Sequence, residues 1–302
     1  MTYADDAEDL PEFEDWCHQR GEDIPNFQNW ATVLELEMLV LVYMSKNTGN
    51  LDVKAYLERI NYKGPCEEPT IDCLRQLHVA HLTSVPFENL SIHCGEEIVL
   101  DLPLVYDKVV RRHRGGFCYE LNRLFAWLLE QMGFSVTLIS AGVYHLATKR
   151  YGPTGHHMLT LVTLSSGRRV LADVGIGCSF RLPLFLEDGI IDAQVNGTFR
   201  LRLDSGTWFM EQLNFTGLDT TTPGCVSING DVWVPLFKFD LTKKCWSDFS
   251  AMSIYEQVSP TTLCCSKSFC SKHIPDGAIT YMGRRIITTV YEDGKARKTS
   301  RQ

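Results

Sequence analysis

One cysteine stands where a helix is predicted to begin. The stretch from Arg114 to Cys118 contains Gly115 and Gly116 and runs directly into a helical pattern that ends at Met132. Unpaired backbone amides and the dipole at a helix N-terminus favour a thiolate and lower the pKa of a thiol. The glycines allow a ligand or another strand to approach the backbone closely. The pattern therefore makes Cys118 a candidate nucleophile. A small buried thiol is the commoner role of a single cysteine, and a nucleophile needs a base.

A base and its orienting group are available on one predicted hairpin. His156 and His157 open a strand pattern, and Asp173 lies on the next strand. If a three-residue turn pairs Leu164 with Arg168, His157 and Asp173 become diagonal neighbours about 7 to 8 Å apart at the backbone. A two-residue turn would shift the register by one and select His156 instead. Cysteine, histidine and aspartate would then form the thiol version of a catalytic triad, although a structural His–Asp hydrogen bond in a sheet is the commoner arrangement.

Two other kinds of site are disfavoured by their spacing. Gly175 starts a G-x-G-x-x-G pattern, but Phe180 occupies the third glycine position and no helix pattern follows, which argues against a dinucleotide site. A zinc site would need C-x2-C or H-x3-5-H spacing. Neither spacing occurs among the four clustered candidates Cys264, Cys265, Cys270 and His273.

The elements that must position these residues change along the chain. Residues 51–134 read as a helical subdomain, 135–250 as an antiparallel β-barrel or sandwich, and 251–302 as a mixed segment whose end, from Gly294 to Lys298, is expected to fray. The predicted helices are Val53–Ile60, Ile71–Leu82, Leu104–Arg112 and Cys118–Met132. The predicted strands are Ser135–Ile139, His157–Leu164, Arg168–Val174, Thr198–Leu203, Trp208–Leu213 and Val232–Phe239.

Composition and charge exclude several classes of protein. The chain has 302 residues and a net charge of -8, but residues 1–50 hold 11 acidic and two basic residues, so the body is nearly neutral. Without a basic stripe, nucleic acid is not an expected partner. The longest apolar run has seven residues where a membrane span needs about 20. With an acidic N-terminus in place of a signal peptide, the 11 cysteines predict reduced thiols and a cytoplasmic protein.

The spaced motifs resemble one family closely, the arylamine N-acetyltransferases, particularly those of vertebrates. The resemblance covers about residues 51–290 in a constant order. The stretches that carry it are Ala55–Ile60, Val85–Leu90, Ile92–Gly95, Val109–Arg112, Arg114–Cys118, Asp173–Gly177, Ser266–Cys270 and Pro275–Gly277.

This resemblance implies a fold and a reaction. The fold would be α+β, with a helical bundle, an antiparallel β-barrel and an α/β lid around a thiol-protease-like core. Cys118 matches the family nucleophile, His157 the base and Asp173 the third member. Acetyl-CoA would acylate Cys118, and an arylamine, arylhydrazine or N-hydroxyarylamine would then take the acetyl group in a ping-pong cycle. No metal is implied, and we expect a monomer.

Arg114 is expected to have a structural role, paired with Glu88. The resemblance also assigns binding residues. The positions that match CoA contacts are Phe117, Arg150, Thr154, Gly155, Tyr255 and Thr261. The positions that match the lining of the acceptor pocket are Phe87, His156, Ile176, Cys178 and Phe180. Ile176 replaces the phenylalanine or serine often found there, which leaves the preferred acceptor size open.

Two departures from the family concern the ends of the chain. The acidic segment 1–50 is extra, and we expect it to have no catalytic role. The chain stops at Gln302, before the family's C-terminal tail. A less closed cleft would bind acetyl-CoA more weakly and lose the thioester to water faster. The alternatives are a truncated, weakly active or binding-only form, and a thiol hydrolase or transglutaminase-like enzyme.

Overall fold

The computed structural model describes residues 51–302 except for 66–67, 147, 178, 214–225, 229–230 and 293–294. The acidic segment 1–50 and Cys178 therefore lie outside the described residues. The described chain forms a helical part, a barrel-like sheet and a lid, in that order.

The helical part precedes the large sheet. Side-chain caps begin three of its helices: Asp52 accepts from the N–H of Lys54, Thr70 from Cys73 and Asp101 from Leu104. A π-helical turn, Asp107–Arg111, continues the fourth helix, and all four predicted helices are confirmed with shifted ends. The helices are α1 (Val53–Arg59), α2 (Ile71–Ser84), α3 (Leu90–His93), α4 (Leu102–Tyr106) and α5 (Cys118–Gln131).

Helix α5 forms the centre of the helical part. Leu121, Leu124, Phe125 and Leu128 are fully buried, as their spacing of three and four predicts. They pack in one cluster with residues of α1 and α2. Burial of each such side chain contributes about 1.5 to 3 kcal/mol to the free energy of unfolding. This burial fixes the end of α5 that carries Cys118.

The large sheet is antiparallel and nearly closed. Its main path runs β6-β5-β4-β2-β11-β9-β8-β7, with β3 paired to β2 and β10 to β11. A bridge between Asp188, which follows β6, and Leu201 of β8 brings the two sides of the sheet together. The strands are β2 (Ser135–His145), β3 (Arg150–Tyr151), β4 (His157–Thr163), β5 (Arg169–Ala172), β6 (Leu184–Phe185), β7 (Ile191–Gln194), β8 (Gly197–Asp204), β9 (Thr207–Leu213), β10 (Val226–Ile228) and β11 (Asp231–Phe239).

Strand β2 is longer than its sequence pattern predicts. The predicted strand ends at Ile139, but residues up to His145 are extended, and Ala141 to Val143 pair with β11. The predicted strand was too short because Ala141 and Gly142 do not continue the alternation of apolar and polar residues. The pairing of β2 with β11 uses backbone N–H and C=O groups, which do not depend on that alternation.

The lid combines two helices with a second sheet. That sheet has the order β1-β12-β13-β14-β15, so that β1 from the helical part joins the lid. The prediction of a frayed C-terminal end is wrong, because Lys295–Arg301 pairs along its length with β14. The lid elements are α6 (Ser250–Val258), α7 (Leu263–Ser266), β1 (Phe87–Glu88), β12 (Phe269–Ile274), β13 (Gly277–Met282), β14 (Arg285–Glu292) and β15 (Lys295–Arg301), preceded by a 3-10 turn, Trp246–Phe249.

Three features bear on the class of protein. Within the described ranges, no helix combines the length and apolar character needed to cross a bilayer. In the same ranges, no three histidine, cysteine, aspartate or glutamate side chains are grouped so that they could hold a metal ion. The prediction of uniformly reduced thiols is wrong at Cys73, which is disulfide-bonded. Thiol pairing depends on distances in the folded chain, which the linear spacing does not contain.

Candidate active site

Cys118 is the first residue of α5. Phe117 is the N-cap in an extended conformation, and its N–H donates to the Glu120 carboxylate at 3.0 Å. Lys108 neutralises that buried carboxylate with contacts of 2.8 and 3.0 Å. Cys118 itself is only 8% exposed. The sulfur therefore lies at a capped and rigid helix start, mostly shielded from water.

The glycines before Cys118 make room for a strand. A Cβ at Gly115 would collide with the carbonyl oxygen of Pro86, and Gly116 forms a parallel bridge with Phe87 of β1. Arg114 lies 3.1 Å from the Glu88 carboxylate. This confirms the predicted pairing and ties the loop before the nucleophile to the lid sheet.

His157 is the first residue of β4, and Asp173 directly follows β5, the other strand of the same hairpin. The N–H of Leu164 donates to the carbonyl of Arg168 at 2.9 Å, and the strand register continues from there, so the three-residue turn is confirmed. His157 Nε2 lies 2.9 Å from Asp173 Oδ2, and both side chains are buried. Because Nε2 is engaged by the carboxylate, Nδ1 is the ring nitrogen left for proton exchange with a nucleophile.

Asn122 joins the helix to this hairpin, and sequence reasoning missed it. Its side-chain amide donates to Met158 O at 2.6 Å and to Asp173 Oδ1 at 2.9 Å, while its oxygen accepts from Val174 N–H at 2.8 Å. Asn122 is four residues after Cys118 and therefore shares its face of α5. That spacing, together with a polar residue inside an apolar pattern, was the signal available in the sequence.

A buried histidine holds Asp173 from the opposite side. His78 Nε2 accepts from the Asp173 N–H at 3.1 Å, and Nδ1 donates to the carbonyl of Arg181 at 2.8 Å. This hydrogen-bond pattern assigns the neutral tautomer. Burial lowers the pKa of His78 to about 4, which agrees with a neutral ring. His78 belongs to α2, so the site is supported by two helices.

The electrostatics of Cys118 differ from the sequence prediction. Burial raises the pKa of the thiol well above its ordinary value, and the charges of Glu256 and Asp173 raise it further. The backbone N–H groups of Tyr119 and Met158 act in the opposite direction and are outweighed. The sequence predicted a lowered pKa because the helix N-terminus is the one feature acting on the pKa of this thiol that the sequence shows. With its pKa raised, this thiol would form a thiolate only by transfer of its proton to a neighbouring acceptor, and a histidine that took the proton would become an imidazolium.

Asp173 is prepared to balance such an imidazolium. Burial alone would raise the pKa of its carboxyl group, but the charge of His157 and hydrogen bonds from His157, Asn122 and the Gly175 N–H lower it overall. A Cβ at Gly175 would lie 2.8 Å from Cys118 Cα, so the Asp173 loop packs directly on the start of α5. The carboxylate therefore stays ionised beside the histidine.

The residues predicted to contact CoA occupy three places. Phe117 is buried at the N-cap of α5. Tyr255 Oη lies 3.1 Å from Thr261 Oγ1, so these two lid hydroxyls are adjacent. The carbonyl of Gly155 accepts from Tyr119 Oη at 2.7 Å. The other two residues lie in the same segment as Gly155: Arg150 in β3 and Thr154 in the turn that follows β3. Both are exposed.

The residues predicted to line the acceptor pocket are less uniform. Phe87 packs against the hydrophobic cluster that contains Cys118, and Ile176 is half-buried in the loop after Asp173. His156 lies 2.6 Å from Glu256. Phe180, by contrast, is buried in the core of the barrel, where its ring stacks on His78.

The chain is similar to known proteins in both sequence and structure. Residues 70–302 match a family model described as N-acetyltransferase. Arylamine N-acetyltransferase 2 of Mus musculus is 34% identical over 243 residues, which cover 78% of this chain and 82% of the relative. The arylamine N-acetyltransferase of Salmonella typhimurium is similar in structure, with a TM-score of 0.71, 28% identity, and coverage of 83% of this chain and 85% of that one.

A second similar structure contains a ligand. The Mycobacterium marinum arylamine N-acetyltransferase in complex with CoA gives a TM-score of 0.71 at 26% identity, covering 83% of this chain and 87% of that one. These likenesses confirm the predicted resemblance and the predicted α+β fold of helical bundle, barrel and lid. The chain belongs to the arylamine N-acetyltransferase family.

Proposed function

We propose that this protein transfers an acetyl group from acetyl-CoA to arylamines and arylhydrazines, and to the oxygen of N-hydroxyarylamines, through an acetyl-cysteine thioester at Cys118. The observation that carries the proposal is the placement of a shielded thiol at the start of α5 beside a His157–Asp173 pair held at 2.9 Å. Family membership selects acetyl transfer from the reactions that such a triad can perform.

The first half-reaction charges the cysteine. His157 takes the proton of Cys118, and Asp173 stabilises the resulting imidazolium. The sulfur then attacks the acetyl carbonyl carbon, and the bond from that carbon to the sulfur of CoA breaks. His157 returns its proton to the departing CoA thiolate. The N–H groups of Tyr119 and Met158, which lower the pKa of Cys118, stabilise negative charge on its sulfur.

The second half-reaction releases the product. The acceptor nitrogen attacks the thioester carbon, His157 removes a proton from that nitrogen, and the bond to Cys118 breaks so that the thiol is restored. We assign Phe87, His156 and Ile176 to the acceptor side. Cys178 belongs to the same proposal but lies outside the described residues.

Acetyl-CoA would enter from the side of the lid. The adjacent hydroxyls of Tyr255 and Thr261, the aromatic ring of Phe117 and the Thr154–Gly155 turn offer hydrogen bonds and apolar contact to a pantetheine arm. Arg150 adds a positive charge suited to phosphate. We also place the protein in the cytoplasm, where free thiols such as Cys118 stay reduced; the disulfide at Cys73 is the exception to that environment.

Intact-mass measurement after addition of acetyl-CoA tests the proposal. We expect a mass gain of one acetyl group, which disappears when an arylamine is added and acetylated amine is released. The gain should be absent in Cys118→Ser and retained in Cys264→Ser, which removes a half-buried thiol near the site. A well-folded protein that is never acetylated would support a binding-only form. Reaction of Cys118 with peptide amides instead would support the hydrolase or transglutaminase alternative.

A further inference from the structure

A buried carboxylate reaches the active site from the lid. Glu256 lies on α6 and is only 5% exposed. Its charge raises the pKa of the thiol of Cys118 and of the phenol of Tyr119, after burial as the larger cause in both cases. The carboxylate is therefore electrostatically close to the nucleophile. In the proposed acetyl transfer it works against formation of the thiolate, so the transfer itself does not explain its presence.

The partners of Glu256 leave one of its oxygens incompletely satisfied. His156 Nε2 lies 2.6 Å from Oε1 in an alignment that is poor for a hydrogen bond, and among the described residues the other polar side chain against the carboxylate is the neutral thiol of Cys264. In the same part of the chain, no lysine or arginine forms an ion pair with Glu256. A buried carboxylate is costly unless a cation or hydrogen-bond donors balance it. His156 supplies that balance only while its ring is protonated.

We propose that Glu256, together with His156, forms a subsite for a positively charged group on the acceptor, so that this protein prefers arylamines carrying a second, cationic group and rejects arylamines carrying a carboxylate. This inference rests on the proposed function. In the free protein, the imidazolium of His156 balances the Glu256 carboxylate. When a cationic acceptor binds, His156 releases its proton to water and the ligand takes its place.

The acceptor is the substrate whose charge fits this subsite. The charged groups of CoA are phosphates, which a buried carboxylate repels, and its pantetheine arm is neutral. Arylamines are largely neutral at the reacting nitrogen, so a charge elsewhere on the ring decides which acceptor is preferred. The Glu256 charge acts on the thiol of Cys118, and the carbonyl of Gly155, the residue before His156, accepts from Tyr119 Oη at 2.7 Å, so the pair lies beside the start of α5, where the acceptor must react.

Matched acceptors make the test. We would compare kcat/KM for 4-[(dimethylamino)methyl]aniline, which is cationic at neutral pH, with that for 4-aminophenylacetate, which is anionic. Both react with the same acetyl-enzyme, so differences in thiol reactivity cancel in their ratio. The ratio of cation to anion should fall at least about tenfold in Glu256→Gln, which corresponds to about 1.4 kcal/mol. Glu187→Gln removes the same charge at an exposed ion pair and should leave the ratio as in wild type.

A second measurement needs only the wild-type protein. The ratio should rise as the pH increases through the raised pKa of His156, because loss of the His156 proton leaves the Glu256 charge unbalanced. Burial opposes protonation of His156, but the Glu256 carboxylate outweighs it and raises the pKa of the ring. The other titratable groups that face Glu256 are His145 of β2, Cys118 and Tyr119 of α5, and Cys264 of α7.

The outcomes separate the possible failures. A ratio that is unchanged in Glu256→Gln, or that is independent of pH in wild type, would overturn the inference. It would also be overturned if Glu256→Gln slowed acylation by acetyl-CoA while leaving the ratio intact, because the carboxylate would then serve CoA. If wild type never forms acetyl-Cys118, the proposed function itself fails.

Discussion

Replacement of Asn122 by alanine tests whether the triad depends on the contact between helix and hairpin. The side chain makes three hydrogen bonds, to Met158 O, Asp173 Oδ1 and Val174 N–H, at 2.6, 2.9 and 2.8 Å. All three cross from α5 to the segments that carry the base and the carboxylate. Alanine removes all of them without adding volume and leaves buried backbone groups of the hairpin without partners.

The expected loss follows from these three bonds. Each of the two bonds to neutral groups contributes about 1 kcal/mol, and the bond to the charged carboxylate of Asp173 contributes about 2 kcal/mol. The free energy of unfolding should fall by about 4 kcal/mol in Asn122→Ala, a large part of the about 5 to 15 kcal/mol typical of a domain. Asp173 Oδ1 keeps only the Gly175 N–H at 2.9 Å, so its orientation relaxes and acetylation of Cys118 should slow about tenfold to a hundredfold.

Urea unfolding and the time course of acetylation by acetyl-CoA measure the two effects. Asn196→Ala is the matched control, because Asn196 is also a buried asparagine but its side chain makes one hydrogen bond among the described residues, to Ser179 O at 2.7 Å, away from the triad. This variant should lose about 1 kcal/mol and keep its acetylation rate. The reasoning would be refuted if both variants lost equal stability, or if Asn122→Ala were acetylated as fast as wild type.

Three further predictions follow from single sites. Gly175→Ala should abolish or strongly slow acetylation, because its Cβ would meet Cys118 Cα at 2.8 Å. Gly206→Ala is the control: its Cβ would meet open space at a positive φ of 85°, so this variant should lose stability but keep its acetylation rate. Equal acetylation rates in the two variants would contradict this prediction. Burial lowers the pKa of His273 from 6.5 to about 4. Between these two pH values the unfolded chain binds a proton at His273 that the folded chain does not, so the free energy of unfolding falls as the pH falls. His273→Gln should therefore flatten the dependence of unfolding free energy on pH by about 1.4 kcal/mol per pH unit, and an unchanged slope would count against the assignment. After burial, the Glu256 charge is a cause of the raised pKa of Cys118. In Glu256→Gln, the pH at which iodoacetamide alkylates Cys118 should therefore be lower than in wild type. A higher pH would show that the charge does not raise the pKa of the thiol.

The sequence by itself determined the elements whose signals are local. The spacing of leucines predicted α5 within one residue of its end, because burial of one helix face depends on neighbours three and four positions apart. For the hairpin, the sequence left two turn lengths open, and the observed pairing of Leu164 with Arg168 selects His157 as the partner of Asp173. The pairing of Arg114 with Glu88 was also correct.

Other features needed distances that local patterns do not contain. The edge strand Lys295–Arg301 lacks apolar alternation and is held by backbone pairing with β14, so its sequence resembled a frayed end. Residues distant along the chain also support the site: His78 from α2 holds the backbone of Asp173.

The pKa of Cys118 shows most clearly what only the tertiary structure decided. The sequence places the thiol at a helix N-terminus, which by itself lowers a thiol pKa. The folded chain buries that thiol and brings the charges of Asp173 and Glu256 close to it, and burial is the larger cause of the raised pKa. Burial and charge act through space, so the sequence could point to Cys118 as the candidate nucleophile, but only the folded structure determined the direction in which the pKa of its thiol shifts.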